Sequence, residues 1–245
     1  SKPANGSSSK GKGLMIRAWR IFKRAFIYLF IFQFLYIIVL RWVDPPFTIT
    51  QLVSWVTGHG LKRDYVDRSD ISPYAGLAVI SSEDQLFPDH SGFDWKSIEK
   101  AMAYNKRKPG RTRGASTISQ QVAKNVFLWQ HGGWFRKGLE VYFTFMIELL
   151  WNKQRILEVY LNVIEMGDGV FGVEAASQKF FSHSARTLNR QEAALIAACL
   201  PNPKRLIVKP ASGYVMGRSN FIMRQMSFLE PDPDIQRVTG LSRGK

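Results

Sequence analysis

Cysteine occurs once in this chain, at Cys199, and histidine only four times, at His59, His90, His131 and His183. A lone cysteine forms no internal disulfide, and the histidines lack metal-ligand spacing, so neither a disulfide scaffold nor a metal centre is expected. Acidic residues are also scarce: 19 Asp and Glu face 34 Lys and Arg, a net charge of +15. Such a deficit asks for an anionic partner, which is nucleic acid, anionic lipid or a phosphorylated substrate; with no compact basic reader motif present, nucleic acid is set aside. Strand-like alternation is almost missing and internal repeats are absent. What remains is 245 residues with 45% hydrophobic content, enough to bury one sizeable core, so the expected architecture is mainly α with an appendage.

The appendage lies at the N-terminal side. Residues 1 to 13 are rich in Gly, Ser and Lys and are expected to lack structure. From Ala25 to Leu40 there is no charge, and only Gln33 is strongly polar. These residues as a helix span about 24 Å, short of a bilayer core of about 30 Å. Arg20, Lys23 and Arg24 on one side and Arg41 on the other can snorkel to cover the difference, while Trp19, Tyr28 and Trp42 suit the interface. No small-residue cleavage site follows, which argues for a retained transmembrane helix rather than a signal peptide. Eight basic residues and one acid fall within residues 1 to 44, which predicts a cytoplasmic N-terminus with the remainder extracytoplasmic. The expected organisation is a basic tail (1–24), a transmembrane helix (25–43), a tether (44–70), a globular domain (71–230) and a tail rich in Pro and Asp (231–245).

Within the domain, Glu83 and Asp84 follow the apolar run Leu77-Ala78-Val79-Ile80. An acid at the end of a buried element loses solvation, which raises its pKa and suits it to general acid or base work. Glu83 is the candidate; Asp84, beside Phe87, His90 and Gly92, is placed to hydrogen-bond the turn that aims it. A helix cap or solvated loop acid is the plainer alternative. Further on, Thr117 and Gln120 fit a capping box, and helical spacing puts Thr117, Gln121 and Lys124 on one face with Ile118, Val122, Val126 and Trp129 on another. That polar stripe is donor-rich and suits an anion or a sugar, unless it is simply a solvated face. Arg136 and Glu140 are i,i+4 neighbours at the start of a helix that is apolar nearly all round apart from Glu148, so this helix is either central to the core or pressed on a membrane. Lys106 to Arg113, too basic and too rich in Gly and Pro to pack, reads as a solvated loop or a phosphate-following flap. Helices are further expected near Ile49 to Val56, from Pro73 to Ile80, from Asp94 to Tyr104, with Trp95, Ile98 and Met102 at helical spacing, and over Lys153 to Gly167, Gly172 to Phe181, Leu188 to Leu200 and Tyr214 to Leu229.

Taken together, E-D-Q-L-F-P-D-H-S-G-F-D (83–94), G-A-S-T-I-S-Q-Q-V-A-K-N (114–125), R-K-G-L-E (136–140), K-Q-R-I-L-E-V-Y-L-N (153–162) and A-A-L-I-A-A-C-L-P-N-P (193–203) resemble, in order and spacing, the five motifs of peptidoglycan glycosyltransferases. The likeness covers about residues 70 to 220 and is strongest to the monofunctional biosynthetic kind, anchored by one helix. It departs at Thr144, where a small Ala is usual, and at Phe180-Phe181, where Tyr-Phe is common. The resemblance implies a lysozyme-like, mainly helical glycosyltransferase domain with a large lobe and a smaller membrane-proximal jaw. It implies that the 4-hydroxyl of lipid II attacks the anomeric carbon of the growing lipid-pyrophosphate-linked chain, giving a β-1,4 link with inversion and releasing undecaprenyl diphosphate. On this chain it assigns the general base to Glu83 and a second, orienting carboxylate to Glu140. It assigns substrate contacts to Asp84, Phe87, His90, Ser116, Thr117, Gln121, Lys124, Asn125, Arg136, Lys137, Lys153 and Asn162.

The chemistry agrees with that assignment. A sugar hydroxyl needs a positioned base, and a diphosphate leaving group needs cations but no acid of its own. Lys124, Arg136 and Lys137 are the expected cations. No cofactor is required, and a divalent ion, Mg or Mn, would at most assist the diphosphate. Expected partners are lipid II, the growing glycan chain, membrane lipids and cell-division or elongation proteins, with moenomycin-type inhibitors implied by the resemblance; the expected location is the bacterial inner membrane, in a single pass. A lytic enzyme of similar fold leaves the membrane helix and the cationic stripe unexplained. Ser7 to Lys10 and Ser97 to Lys100 match S-x-x-K by chance, since no K-T-G accompanies them and no length for a transpeptidase domain is expected.

Overall fold

A computed structural model describes residues 8–108, 114–130 and 132–241. The chain divides into two compact units between Val43 and Asp44. The first is one long helix, α1 (Ser8–Val39), of which Gly13–Val39 is long and apolar enough to cross a membrane. Its side chains there are almost all exposed, as in Phe26, Leu29 and Phe32. The helix begins earlier than the composition suggests, at Ser8, because extending a helix already nucleated by an apolar run adds a hydrogen bond for each residue fixed.

In the second unit the helices are α2 (Ile49–Val56), α3 (Pro73–Glu83), α4 (Trp95–Arg107), α5 (Ile118–Phe127), α6 (Trp134–Leu150), α7 (Lys153–Val163), α8 (Val173–Phe181), α9 (Arg190–Cys199), α10 (Gly213–Leu229) and α11 (Pro233–Thr239). Helix α3 is the axis. Ser72 caps it, Pro73 sits in its first turn, and Ala75 through Ser81 are all buried. The small side chains of Ala75, Gly76 and Ala78 let α9, α10, α11 and α7 approach it closely. Around it the core gathers Leu77, Ile80, Ile118, Val122, Ile147, Ile156 and Tyr160, each essentially without exposure. An eleven-residue helix with no polar face would end on an orphaned turn, and Asp84 closes it as the C-cap.

Among the described residues three short strands join the helices: β1 (Lys62–Arg63), β2 (Glu165–Gly167) and β3 (Val170–Phe171), in the order β1-β3-β2. β1 runs parallel to β3, and β2 runs antiparallel to it. The helix expected to reach Gly167 therefore stops at Val163. The cause is the hairpin turn at Gly169, whose φ of +67° and close approach to the His59 carbonyl leave no room for a Cβ.

Two segments expected to lie outside the domain are built into it. The tether, residues 44 to 70, carries the Thr48/Gln51 capping box of α2, supplies β1, and is clasped where Asn162 bonds both the N–H and the carbonyl of Val66 at 3.1 and 3.0 Å. Asp44 also pairs with Arg155 at 2.8 Å. The tail folds back as α11, with Ile235 and Val238 buried and Arg68 donating to the carbonyls of Arg237 and Val238. Residues 109–113 of the basic loop and His131 lie outside the described residues.

Not every apolar stripe faces inward. Trp95 and Met102 of α4, placed at helical spacing, are exposed, and Ala101 is the residue that α4 buries. Helix α6 buries Glu140, Thr144, Met146 and Ile147 while exposing Trp134, Phe135, Phe145 and Leu149.

Candidate active site

Glu83 ends α3 on the wall of a cavity of about 790 Å³. Its walls come from the α3 terminus, from Ser97 and Lys100 of α4, from Gly114 to Thr117, from Gln121 of α5, and from Arg218 of α10. The Glu83 side chain is 16% exposed, and each of its oxygens accepts one hydrogen bond. Its Oε1 accepts from Ser82 Oγ at 3.0 Å, and its Oε2 accepts from Gln121 Nε2 at 3.2 Å. Gln121 is itself oriented by Tyr160, whose hydroxyl donates to Gln121 Oε1 at 3.3 Å. Burial pushes the Tyr160 hydroxyl well above its usual pKa, and the negative charges of Glu83 and Asp84 add to this. Tyr160 therefore remains a neutral donor, and the amide is left with its NH₂ toward the carboxylate.

Asp84 is turned away from that role. Buried one residue later, it accepts the backbone N–H of Ile118 at 2.9 Å and His90 Nε2 at 2.9 and 3.0 Å. A carboxylate on the first N–H of α5 satisfies an orphan donor and favours the positive end of the helix dipole. It also ties the end of α3 to the start of α5, which fixes Glu83 relative to Gln121. Thr117 adds a second tie: its hydroxyl donates to the Gly92 carbonyl at 2.7 Å while the expected capping box with Gln120 forms. Gly92 has φ +91°, and a Cβ there would lie 2.8 Å from Thr144 Cγ2, so the 84–94 loop packs onto α6 only with glycine at this point. Thr144, the departure from the usual Ala, is accommodated because its hydroxyl donates to the Glu140 carbonyl at 2.7 Å.

Several residues expected to contact substrate do not line this cavity. Phe87 is completely buried, with the Lys153 ammonium 4.6 Å from its ring centroid. Lys153 bonds the His90 carbonyl at 2.6 Å and Glu148 at 2.7 Å, and Glu148 also accepts from Ser119. Asn162, fully buried, spends its amide on Val66. His90 is committed to Asp84 and to the N–H of Gly92. Asn125 donates to the Gln121 carbonyl at 2.8 Å and accepts from Gln130 at 2.7 Å. Each is a strut of the loop–helix scaffold, a role that spacing alone does not separate from ligand contact. Ser116, Thr117, Gln121, Glu83 and Asp84 do line the cavity, with Ser116 exposed to it.

One helical turn beyond Gln121 on α5, Lys124 enters a second constellation. Glu140 is buried in it, its side chain 4% exposed, and accepts from Arg136 Nη1 at 2.8 Å and Lys137 Nζ at 2.5 Å. Burial lowers the Lys124 ammonium below the ordinary lysine pKa; the attraction of Glu140 opposes that shift, while Arg136 and Lys137 reinforce it. Two cations thus grip one carboxylate, and Lys124, on α5 packed against α6, feels its charge. Arg136 keeps a buried Nε with no partner among the described residues. Both Glu140 oxygens are occupied by cations, and of the two carboxylates Glu83 is the one that lines the cavity. No three Asp, Glu, His or Cys side chains converge as a metal site among the described residues.

Among the cavity residues that sequence reasoning did not assign to the site are Ser82, Lys100 and Arg218. Arg218 lies beside the buried α10 stripe of Val215, Ser219, Ile222 and Met226, a position that carries no signal of its own in the sequence. Its Nη2 lies 3.8 Å from Glu83 Oε1. Nearby Cys199 is buried and its thiol is pushed up to about 11 by that burial, so it is not a nucleophile.

Comparison with known proteins gives a consistent result. A family profile described as Transglycosylase matches residues 50–227. A biosynthetic peptidoglycan transglycosylase of Escherichia coli is 55% identical over 190 residues, covering 76% of this chain and 78% of that protein. A protein of the same description from Shigella boydii matches to the same extent.

Proposed function

The chain belongs to the transglycosylase family, and from that premise and the cavity geometry we propose that it polymerises glycan strands with Glu83 as general base. It is a peptidoglycan glycosyltransferase of cell-wall synthesis, mainly helical and lysozyme-like in its domain. In our mechanism the acceptor is lipid II, and its 4-hydroxyl lies in the cavity against Glu83. As the hydroxyl oxygen bonds to the anomeric carbon of the growing chain, its proton passes to Glu83. The bond from that carbon to the lipid diphosphate breaks, and the electron pair leaves on the phosphate oxygen. Attack opposite the leaving group inverts the centre to a β-1,4 link.

The observation that carries this reading is the placement of Glu83 at the head of a polar stripe. Gln121 touches its carboxylate, and Lys124, about 4.5 Å further along the α5 axis, leads to Arg136 and Lys137. A base at one end and cations at the other match the two places where charge changes: the hydroxyl losing a proton and the diphosphate gaining an electron pair. Glu140 keeps the cations in register, and the guanidinium of Arg136 is the group best shaped to grip a phosphate.

One N-terminal apolar helix is a candidate membrane span, in keeping with an inner-membrane protein. The finer reading is a single pass with the N-terminus cytoplasmic and the domain outside. The charge asymmetry supports it, and the exposed Trp134, Phe135, Phe145 and Leu149 of α6 suit a lipid surface.

The assay is polymerisation of purified lipid II by the full chain, resolved by product length. Glu83→Gln keeps shape and hydrogen bonding, so turnover should fall by about 10²- to 10⁴-fold while substrate still binds. Turnover near that of the unaltered protein would rule Glu83 out.

A further inference from the structure

Arg218 occupies a place that packing alone does not favour. It flanks the buried stripe Val215, Ser219, Ile222 and Met226 of α10, which is applied to α3 and α9, and its Nε is buried with no partner among the described residues. Its Nη2 donates to Ser82 Oγ at 3.2 Å. The Ser82 hydroxyl in turn has two acceptors within reach, Glu83 Oε1 at 3.0 Å and the Ala197 carbonyl at 3.4 Å. A cation donating into Oγ strengthens that hydroxyl as a donor, and both distance and charge direct its proton to the carboxylate. On the opposite side, Tyr160 and Gln121 form a matching chain that ends on Glu83 Oε2. Glu83 is thus held between two relays, one of which begins in a charge.

We propose that Arg218, acting through Ser82, is a positioning residue for Glu83, an inference that rests on Glu83 being the base. The Arg218–Ser82 pair fixes the Oε1 side of the carboxylate, so that the free lone pairs point into the cavity where the acceptor hydroxyl arrives. Its guanidinium Nη2 also lies 3.8 Å from Oε1, on the same side of the carboxylate as the Ser82 hydroxyl. With the residue 135 positions away in sequence, this support exists only in the folded domain. Arg218 itself transfers no proton and grips no phosphate in this scheme.

The experiment is steady-state kinetics of the full chain on lipid II for Arg218→Gln, Arg218→Lys, Ser82→Ala and the Ser82→Ala/Arg218→Gln double variant. Arg224→Gln is the control: it removes a charge from the same helix at an exposed site away from the cavity. A misaimed base should lower kcat for Arg218→Gln by about 10- to 100-fold with KM within about twofold. Arg218→Lys should recover part of the loss, Ser82→Ala should lose less than Arg218→Gln, and the double variant should be no worse than Arg218→Gln because the two act in series. Arg224→Gln should match the unaltered protein. Thermal unfolding is measured alongside; if Arg218→Gln does not fold, Ser82→Ala, which removes a single hydroxyl, decides the matter by a kcat loss at unchanged melting temperature. A rise in KM at constant kcat would make Arg218 a substrate contact and overturn the proposal. So would additive losses in the double variant, or unaltered kcat in both single variants. If Glu83→Gln is inactive while Arg218→Gln is not impaired, only the positioning role fails; if Glu83→Gln retains full turnover, the base assignment and this inference fall together.

Discussion

Replacing Glu140 with Gln tests whether this carboxylate holds the cations or takes part in proton transfer. The substitution conserves volume and one acceptor oxygen but leaves Lys124, Arg136 and Lys137 without a shared counter-charge. Removing one partner of a buried ion pair costs about 3–5 kcal/mol. Here Arg136 is well covered, at 13% exposure, but the Lys137 side chain is 43% exposed and its share is largely screened by water. A loss of about 2–3 kcal/mol is therefore expected. For a domain of this size each kcal/mol corresponds to about 2–4 °C, so the melting temperature in detergent should fall by about 4–12 °C. The same change should act on Lys124. Attraction to Glu140 favours its protonated form, so its loss lets the ammonium give up its proton at still lower pH, and the alkaline limb of kcat/KM on lipid II should move down. Adding Lys137→Gln relieves repulsion and should return part of both effects. An unchanged melting temperature together with an unchanged alkaline limb would refute the argument that Glu140 organises the cluster.

Lys124 gives a related prediction about pH. Because burial disfavours its charged form, kcat/KM should decline on the alkaline side below the ordinary lysine range, and Lys124→Arg, which stays charged throughout, should move that decline upward while lowering the maximum. A limb at the same pH in both proteins would show that Lys124 does not set it. The topology is tested by protease protection: in intact spheroplasts the domain after Asp44 should be cleaved by added protease, and a shielded domain would reverse the assignment.

What the sequence determined by itself is local or periodic. The apolar run of α1, the capping box at Thr117 and Gln120, the Asp94 cap of α4, and the Arg136/Glu140 pair all follow from spacings of a few residues, because caps and helix faces are i to i+3 or i+4 relations. The order of the five motifs carried the family, and with it Glu83. Which motif residues face the cavity was decided only by tertiary packing. Phe87 and Asn162 sit in motifs beside Glu83 and on α7, yet both are wholly buried, because helix spacing gives a face and says nothing about what covers it. The tether and the tail read as loose from their polar and Pro-rich composition, but β1 found a strand partner at β3 and α11 found Arg68. Arg218 reaches Glu83 because α10 crosses α3, a contact between segments far apart in the chain that no local pattern encodes. The sequence by itself determined the elements and the residue types of the chemistry; the tertiary structure decided which carboxylate faces the cavity and which is held by cations, because burial and ion pairing depend on neighbours that folding alone brings together.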